Sequence, residues 1–460
     1  MKQWEGKQVA VVGLGISNVP LIKYLLRHGA VISGRDRKTA SELGDTYASL
    51  RNLGVDFCLG PEEYLQGLHK YDAVFLTPGI PKHLPEIQAL MGQVPLLSEV
   101  ALVLQQAQAP VYGITGSSGK TTTTTLVGEM LKAAGIKCHV GGNIGNPLIE
   151  RIDQIPADQP IIMELSSFQL ELLSQSPQAA LVTNISENHL DVHLTMENYI
   201  QAKKQIYLHQ QPADAAVFNY DDPIVRNMAS EAVGAVYFFS SKNAVNPGIY
   251  LDDQGMLVFQ DAAGIVPLIS KQDIGLIGEH NLQNVMAAAL LAHLAGADWD
   301  AICSAARQFR GVKHRLEFVA AINQVEYYND SIATSPARTI AGIRAFTQPV
   351  ILIAGGYDKK LSFTELAEVV VKSGRVKAVI LLGQTADLIA EEITAVSPDY
   401  KQVYRASDLS HAVDLAAQLA DCGDAVLLSP ACASFDMYPN FEARGDHFRS
   451  IVQELAVKDR

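Results

Sequence analysis

Short runs of apolar residues alternate along the chain with longer segments in which apolar and polar positions recur with helical spacing. The runs at 8–12, 111–114 and 350–354 are too short for helices and are typical of strands buried on both faces of a parallel sheet. The segments at 99–106 and 120–134 predict helices. Because this alternation extends over most of the chain, it predicts an α/β fold.

The chain has 460 residues, which is more than a single hydrophobic core normally organises. The stretch at 95–98 is interpreted as the exit from a first α/β region, and 311–315 marks a second boundary. We therefore expect three domains, at 1–98, 99–311 and 312–460.

Three glycines punctuate the loop between the strand at 111–114 and the helix at 120–134. Glycines allow backbone N–H groups to turn toward an anion, and the N-terminus of the helix adds positive potential. Lys120 supplies a charge, and Thr121 offers a hydroxyl to a metal ion. The spacing departs from a strict Walker A motif, since Ile114 stands where the first glycine would be. The loop predicts nucleotide binding, and an ordinary glycine-rich turn is the alternative. The candidate phosphate-binding residues are Gly116, Ser117, Ser118, Gly119, Lys120, Thr121 and Thr122.

Five consecutive threonines, 121–125, open this helix although threonine is a poor helix former. Hydroxyls that face phosphate and metal would explain their presence. The central domain is therefore predicted to be P-loop ATPase-like, with a mainly parallel sheet.

Two further predicted strands end near residues that can bind a metal ion. Glu164 follows the run at 160–163, and His189 comes shortly after the run at 180–185. If these strands are parallel to the strand before the loop, Thr121, Glu164 and His189 lie at one carboxyl edge of the sheet, where ligands bind. A hydroxyl, a carboxylate and an imidazole in that place predict a magnesium site. The alternatives are that Glu164 caps the following helix and that His189 is a packed surface residue.

A helix predicted at 198–210, after Thr195, carries Lys203 and Lys204. The pattern does not decide which lysine faces the site, because both have aromatic or aliphatic neighbours at helical spacing. A solvated surface pair is the alternative.

The first region has the alternation of a Rossmann-like domain, with an incomplete dinucleotide fingerprint. The turn contains Gly15 and Ile16, but its last glycine position is Asn18. A nucleotide or diphosphate at this edge of the sheet would place Asp36 or Arg37 near a ribose or phosphate. A purely structural βαβ unit is the alternative.

The last region alternates strands and helices again, and polar residues concentrate where its strands end, at 329–331, 355–360 and 429–436. This pattern predicts a second Rossmann-like domain with a site at its carboxyl edge. Lys359 follows a double glycine and either binds a carboxylate or belongs to a solvated loop.

Charge and composition narrow the class of ligand. The formal net charge of −13 argues against broad binding to nucleic acid or to an anionic membrane, although a local basic pocket for a small anion stays compatible with it. No apolar run of membrane-spanning length occurs, and the start of the chain has no signal-peptide pattern. Five scattered cysteines are typical of reduced thiols, so a cytoplasmic protein without membrane insertion is expected.

Together these motifs resemble the Mur ligases, the ATP-dependent amide-bond ligases of peptidoglycan precursor synthesis. The resemblance covers essentially the whole chain. The motifs that carry it lie at 113–122, 141–145, 164–170, 188–191, 278–281, 314–315 and 329–331.

The resemblance implies roles for individual residues. Lys120 and Thr121 would hold ATP, and Glu164 would help to hold magnesium. His189 and a carbamylated lysine, which falls on Lys203 when counted back from the Ile-Tyr pair, would hold a second magnesium ion. Asn281, Arg315 and Asp330 would contact the nucleotide. Gly15, Ile16, Asp36, Arg37, Gly79, Asn143 and Ser166 would contact a uridylylated sugar-peptide, and Thr334, Lys359, Ser434 and Phe441 would frame D-glutamate.

Within the family, the stretch at 428–445 resembles the ligase that joins D-glutamate to UDP-N-acetylmuramoyl-L-alanine, and an Asp-Asn-Pro motif is absent there. The substrates, ATP, two magnesium ions and a monomeric enzyme are thus the expectation. Asn188 and Ile332 depart from the family pattern, where Asp and Lys are frequent. The alternatives are a related Mur or folylpolyglutamate-type ligase for another amino acid, and a P-loop nucleotide-binding protein without ligase chemistry.

Overall fold

The computed structural model describes residues 3–15, 17–145, 147–188, 190–276 and 278–458, with the side chains of Asp191 and Lys458 left aside. The chain forms two compact units, Met1–Phe309 and Arg310–Arg460. Each unit is described by itself. The three-domain boundaries at 98/99 and 311/312 stay a prediction.

The first unit begins with a five-stranded parallel sheet. Its strands are β1 Gln8–Val12, β2 Val31–Asp36, β3 Asp56–Leu59, β4 Ala73–Leu76 and β5 Leu96–Leu97. The helices between them are α1 Asn18–Arg27, α2 Ala40–Leu43, α3 Asp45–Asn52 and α4 Pro85–Gln88, with a 3₁₀ turn at Leu68–Lys70.

The strand order of this sheet is β3-β2-β1-β4-β5, so the order reverses between β1 and β4. Val12 lies opposite Arg35 on one side and Leu76 on the other. The loops that follow these three strands therefore meet at one carboxyl edge, which is where open α/β sheets bind ligands.

A nine-stranded sheet follows, and it is parallel except for the antiparallel pairs that join its last three strands. Its strands are β6 Val111–Thr115, β7 His139–Gly142, β8 Ile161–Glu164, β9 Ala179–Val182, β10 Ala215–Asn219, β11 Ala235–Ser240, β12 Gly248–Leu251, β13 Met256–Asp261 and β14 Gly264–Ser270. The strand order is β14-β13-β12-β11-β10-β9-β6-β8-β7.

The helices of this part are α5 Glu99–Gln106, α6 Lys120–Ala133, α7 Ser167–Leu170, α8 Leu190–His193, α9 Met196–Lys204, α10 Pro223–Met228, α11 Glu279–Leu294 and α12 Trp299–Gln308. Three 3₁₀ segments lie at Leu148–Gln154, Ala229–Glu231 and Lys271–Asp273. The helix predicted at 198–210 is shorter than expected, since α9 ends at Lys204. Its predicted start is correct: Thr195 is the N-cap, and its side chain accepts a hydrogen bond from Asn198 N.

The apolar core explains why the first 309 residues form one unit. One cluster contains Val9 and Phe75 from the first sheet together with Ile161 and Met163 from the second. Burial of apolar side chains from both sheets in a single cluster joins the two layers. A second cluster surrounds α11, whose residues from 285 to 292 are all buried, as expected for a helix that is apolar on every face.

The second unit contains a six-stranded sheet in the order β15-β16-β20-β17-β18-β19, in which the β15–β16 pair is antiparallel and the other pairs are parallel. Its strands are β15 Glu317–Ile322, β16 Val325–Asn329, β17 Val350–Ala354, β18 Val376–Leu381, β19 Val403–Arg405 and β20 Ala425–Leu428. Its helices are α13 Pro336–Arg344, α14 Thr364–Lys372, α15 Ala386–Val396, α16 Leu409–Leu419 and α17 Phe441–Lys458.

The predicted α/β class with three mostly parallel sheets is confirmed. In the part of the chain that the structure describes, no helix is both long and apolar enough to span a bilayer.

Candidate active site

The glycine-rich loop lies between β6 and α6, at the centre of the nine-stranded sheet. Gly116 has φ +147°, and a Cβ at this position would overlap the Thr183 hydroxyl. Gly119, the N-cap of α6, has φ +80°, and its own Cβ would overlap Asn284 Oδ1. Both positions thus need glycine for conformation and for space.

Side chains at the end of β9 fix the shape of this loop. Asn184 Oδ1 accepts hydrogen bonds from Ser118 N at 2.9 Å and from Ser118 Oγ at 3.1 Å. Thr183 Oγ1 donates to Ser118 O at 2.7 Å. Ser117 Oγ lies 3.0 Å from the Tyr199 hydroxyl. The loop is therefore held in a defined conformation by the neighbouring strand and by α9.

Two ammonium groups converge on one carbonyl of the loop. Lys120 Nζ and Lys203 Nζ each donate to Gly116 O at 2.9 Å. Lys203 also donates to Thr115 Oγ1 at 3.3 Å. Two cations at the N-terminus of a helix create a strongly positive region, which suits a polyphosphate.

The threonine run serves two different surroundings. Thr121 and Thr122 are partly exposed at the start of α6, where hydroxyls can reach a ligand. Thr123 and Thr124 are completely buried, and Thr123 Oγ1 lies 3.4 Å from Asn284 Oδ1. The interpretation that the whole run faces phosphate and metal is therefore wrong for Thr123 and Thr124.

Glu164 ends β8, next to β6 in the sheet, with Ile114 as its direct partner. It is 2% exposed, and its Oε1 accepts a hydrogen bond from Asn143 Nδ2 at 2.9 Å. Among the described residues, its Oε2 has no hydrogen-bond partner. Ser166, and not Glu164, caps α7, because Ser166 Oγ accepts from Gln169 N in a capping box. The alternative structural role for Glu164 is thus excluded.

The structure separates the two lysines of α9. Lys203 is 1% exposed, whereas Lys204 pairs with Glu231 at 2.6 Å, away from the loop. Burial lowers the pKa of Lys203 well below its ordinary value; the Lys120 cation acts in the same direction and the Glu164 carboxylate in the opposite one. The open choice between the lysines is therefore settled geometrically: Lys203 is the one beside the loop.

A magnesium ion fits the donors that are present. A buried carboxylate oxygen without a partner is costly unless a cation or donor compensates it, and Glu164 Oε2 is such an atom in the described part of the chain. Oxygen ligands are the ones that magnesium prefers. His189, the other predicted ligand, lies outside the described residues, and no group of three or more His, Cys, Asp and Glu side chains suited to a metal occurs within them.

Asn284 is a candidate ligand-binding residue that the sequence reasoning missed. It lies beside Gly119 on α11, is 6% exposed, and its Nδ2 donates to Asn281 Oδ1 at 3.2 Å. The predicted nucleotide residue Asn281 thus reaches the loop through Asn284. A polar side chain three residues after another one, on a helix that is otherwise apolar, was the available signal.

In the first sheet, the structure brings the predicted residues together at the edge where β1, β2 and β4 end. Asp36 Oδ2 accepts from Leu14 N at 2.8 Å, so this carboxylate shapes the turn that contains Gly15. Arg37 and Gly79 are exposed at the same edge, while Ile16 lies outside the described residues.

Asn18 explains why the incomplete fingerprint still forms a tight turn. It is buried, and its side chain donates to Val12 O at 3.2 Å and to Gly13 O at 2.8 Å. The amide satisfies two backbone carbonyls of the turn, a task that glycine cannot perform.

In the second unit, the loops after β16, β20 and β17 lie side by side at one edge. Asp330 is buried, and its oxygens accept from Leu316 N at 3.2 Å and Ser429 Oγ at 2.8 Å. Burial raises the pKa of Asp330 to about 7, and these two hydrogen bonds, with Arg315 nearby, act against that shift. Lys359 Nζ donates to Thr334 O at 3.4 Å.

The two remaining predicted residues of this edge are held by a buried arginine. Ser434 is 2% exposed, and Phe441 O accepts from Ser331 Oγ at 2.8 Å. Arg444 donates to Ser331 Oγ and to the carbonyls of Ser331, Cys432 and Ala433. Sequence reasoning had no signal for this residue, because an arginine on a long helix is normally exposed.

Comparison with known proteins connects these sites. Three family profiles match in succession: "Mur ligase MurD-like, N-terminal domain" over 7–95, "Mur ligase middle domain" over 114–292 and "Mur ligase, glutamate ligase domain" over 314–432. The UDP-N-acetylmuramoylalanine–D-glutamate ligase of Symbiobacterium thermophilum is 47% identical over 454 residues, which cover 98% of each chain. The chain belongs to the Mur ligase family.

Another relative with the same name, from Acetivibrio thermocellus, is 43% identical over 461 residues, 99% of this chain and 98% of its own. Among solved Mur ligases, the MurC of Thermotoga maritima is 18% identical with a TM-score of 0.54, covering 98% of this chain and 100% of that one. The Thermotoga maritima MurF ligase, solved in complex with ADP, is 18% identical with a TM-score of 0.55 and covers 100% and 97%. These structures share the Mur ligase fold, and the predicted family is confirmed.

Proposed function

We propose that this Mur ligase joins D-glutamate to UDP-N-acetylmuramoyl-L-alanine in an ATP-dependent, ADP-forming reaction of peptidoglycan precursor synthesis. The observation that carries the proposal is the group formed by Lys120, Lys203 and Glu164 around a preformed glycine-rich loop. The name of the relatives at 43% and 47% identity supports the choice of both substrates. A need for ATP is consistent with action in the cytoplasm.

The reaction has two steps. A carboxylate oxygen of UDP-N-acetylmuramoyl-L-alanine attacks the γ-phosphorus of ATP, the bond to the bridging oxygen breaks, and an acyl phosphate and ADP form. The amine of D-glutamate then attacks the acyl carbon, phosphate leaves with the bonding electrons, the amine loses a proton, and an amide remains. The first step brings an anion against a polyanion, so the site must neutralise charge.

Lys120 and Lys203 supply positive charge next to the loop, and the α6 N-terminus adds its dipole. Glu164 and Thr121 would hold a magnesium ion, which when bound would neutralise phosphate charge. A second ion, held by His189 and a modified Lys203, completes the proposed set. Asn143 orients Glu164 by donating to its Oε1.

We propose that Lys203 carries the carbamate. Carbamylation forms a bond between a neutral lysine nitrogen and the carbon of carbon dioxide and releases a proton. Burial and the Lys120 cation favour the neutral amine, because both lower the pKa of Lys203. Lys204, paired with Glu231, lacks that environment.

The remaining roles follow the arrangement within each unit. In the first unit, Gly15, Ile16, Asp36, Arg37, Gly79, Asn143 and Ser166 would contact the UDP substrate, and Asn281 the nucleotide. In the second unit, Arg315 and Asp330 would contact the nucleotide, and Thr334, Lys359, Ser434 and Phe441 would frame D-glutamate. We propose that the enzyme acts as a monomer.

The decisive experiment is phosphate release from ATP with UDP-N-acetylmuramoyl-L-alanine and either D-glutamate or L-glutamate. We expect release only with the acceptor and the D-enantiomer together, and a Lys120→Ala variant without activity. Release with another amino acid or with a folate acceptor would replace the proposed substrate. ATP binding without turnover under every acceptor would instead identify a non-catalytic nucleotide-binding protein.

A further inference from the structure

A line of three polar side chains crosses the first unit behind the glycine-rich loop. Lys82 Nζ lies 3.5 Å from Glu171 Oε2, and Glu171 Oε1 lies 3.2 Å from His193 Nδ1. The side chains are 10%, 23% and 1% exposed, respectively. Lys82, Glu171 and His193 are called the buried triad below. They come from three distant parts of the sequence and are connected only by the tertiary structure.

The buried triad is an expensive way to fill space. Burial lowers the pKa of Lys82 and raises that of Glu171, and the attraction between the partners opposes both shifts. Replacement of a buried ion pair by well-packed apolar residues is often neutral or stabilising, so such a pair is weak evidence for a role in stability. A role in geometry is the more economical explanation.

Both ends of the buried triad reach turns that contain proposed substrate residues. At one end, Lys82 Nζ also donates to Pro78 O at 3.3 Å, and Pro78 directly precedes Gly79. At the other end, His193 Nε2 lies 2.9 Å from the hydroxyl of Ser167, which directly follows Ser166. The triad thus connects the loop after β4 of the first sheet with the start of α7 beside the second.

His193 also fixes the segment between α8 and α9. Its ring stacks on Phe168 with centroids 4.9 Å apart and planes 8° apart, and it meets the Tyr199 ring edge-on at 5.3 Å. Asn198 Nδ2 donates to His193 O at 2.9 Å. With contacts on two aromatic rings and at both ring nitrogens, the imidazole has one defined orientation.

We propose that Lys82, Glu171 and His193 are positioning residues that hold the turn at Pro78 and Gly79 and the turn at Ser166 and Ser167 in the relative geometry needed to bind the UDP substrate. The proposal rests on the proposed function, in which both turns contact that substrate. ATP contacts a different loop, so the triad affects the affinity for the UDP substrate and leaves that for ATP nearly unchanged.

The test separates positioning from folding by removing both charges at once. In a K82M/E171L variant, no unpaired charge is left in the interior, so thermal unfolding is expected at or above the parent temperature. Isothermal titration with UDP-N-acetylmuramoyl-L-alanine is expected to give a Kd about tenfold higher than the parent value, because interactions in one connected network are coupled. The KM for ATP is expected to stay within about twofold.

Two further variants narrow the interpretation. His193→Phe keeps an aromatic ring against Phe168 but removes both ring nitrogens, and it is expected to raise the same Kd. Lys82→Arg retains a cation and is expected to recover most of the affinity. Lys7→Met, which removes an exposed ion pair with Asp72 in the same region, is the matched control and is expected to behave as the parent.

A well-folded K82M/E171L protein with the parent Kd would overturn the proposal, as would an equal loss of affinity for ATP. The proposed function is judged separately, by phosphate release from the parent protein. If the parent binds the UDP substrate without turnover, the proposed function fails while the Kd comparison still decides the role of the triad. If the parent does not bind this nucleotide sugar, both proposals are wrong.

Discussion

Glu99 is a buried acid with no part in the proposed reaction, and it gives a direct test of the electrostatics of the first unit. It is the first residue of α5, after the N-cap Ser98, and is 7% exposed. Burial raises its pKa from 4.5 to about 7, and the hydrogen bond from the Ile149 backbone acts against this shift. The side chain is therefore protonated in the folded protein at pH values where the unfolded chain is ionised.

The sign and size of the effect follow from proton linkage. Because the folded protein binds the proton more tightly, the associated stability is fully present below pH 4.5 and is lost as the pH rises through about 7. The difference between these pKa values corresponds to about 3 kcal/mol, at about 1.4 kcal/mol per pH unit. The N-terminus of α5 favours the carboxylate by up to about 1 kcal/mol, which leaves an effect of about 2 kcal/mol between pH 5 and pH 8.

Glu99→Gln removes the ionisation and keeps the size of the side chain. Urea denaturation of parent and variant at pH 5 and pH 8 measures the free energy of unfolding, followed by tryptophan fluorescence, since Trp4 lies in the same apolar cluster as α5. We expect the stability of the variant relative to the parent to increase by about 2 kcal/mol from pH 5 to pH 8. Glu86→Gln, in the exposed first turn of α4, is the control. An equal difference at both pH values would refute the reasoning.

Three shorter predictions concern the glycine-rich loop. With ¹³C-labelled bicarbonate, a carbamate signal in the NMR spectrum should disappear in Lys203→Ala and persist in Lys204→Ala; loss only in Lys204→Ala would reverse the assignment. Gly116→Ala should abolish nucleotide binding measured by calorimetry, because its Cβ would overlap the Thr183 hydroxyl; retained binding would contradict the predicted clash. Asn284→Ala should raise the KM for ATP about tenfold through loss of a hydrogen-bonded amide beside the loop, and an unchanged KM would exclude that role.

Much of the fold was predictable because apolar runs and turn residues act locally. The helix at 99–106 and the strands at 350–354 and 425–428 have the predicted bounds. The antiparallel strands β12 to β14 were not identified, since their residues are partly exposed and lack the continuous apolar runs of the buried strands.

The candidate site was only partly predictable. Glu164 and the glycine-rich loop were found because residues at the ends of parallel strands share an edge, whatever the details of packing. Asn284 and Arg444 were not found, because their polar groups meet the loops only after helices distant in sequence pack against the sheets.

The sequence alone determined the family, the α/β class and the identity of the phosphate-binding loop, since each depends on short stretches with local spacing. The tertiary structure decided which lysine of α9 is buried beside Gly116 and that Ser166 caps the helix after Glu164. It also placed the buried triad, whose members are brought together by the packing of separate segments and not by their spacing. Burial, and hence the protonation of a lysine or an acid, is a property of the packed interior, which no local pattern specifies.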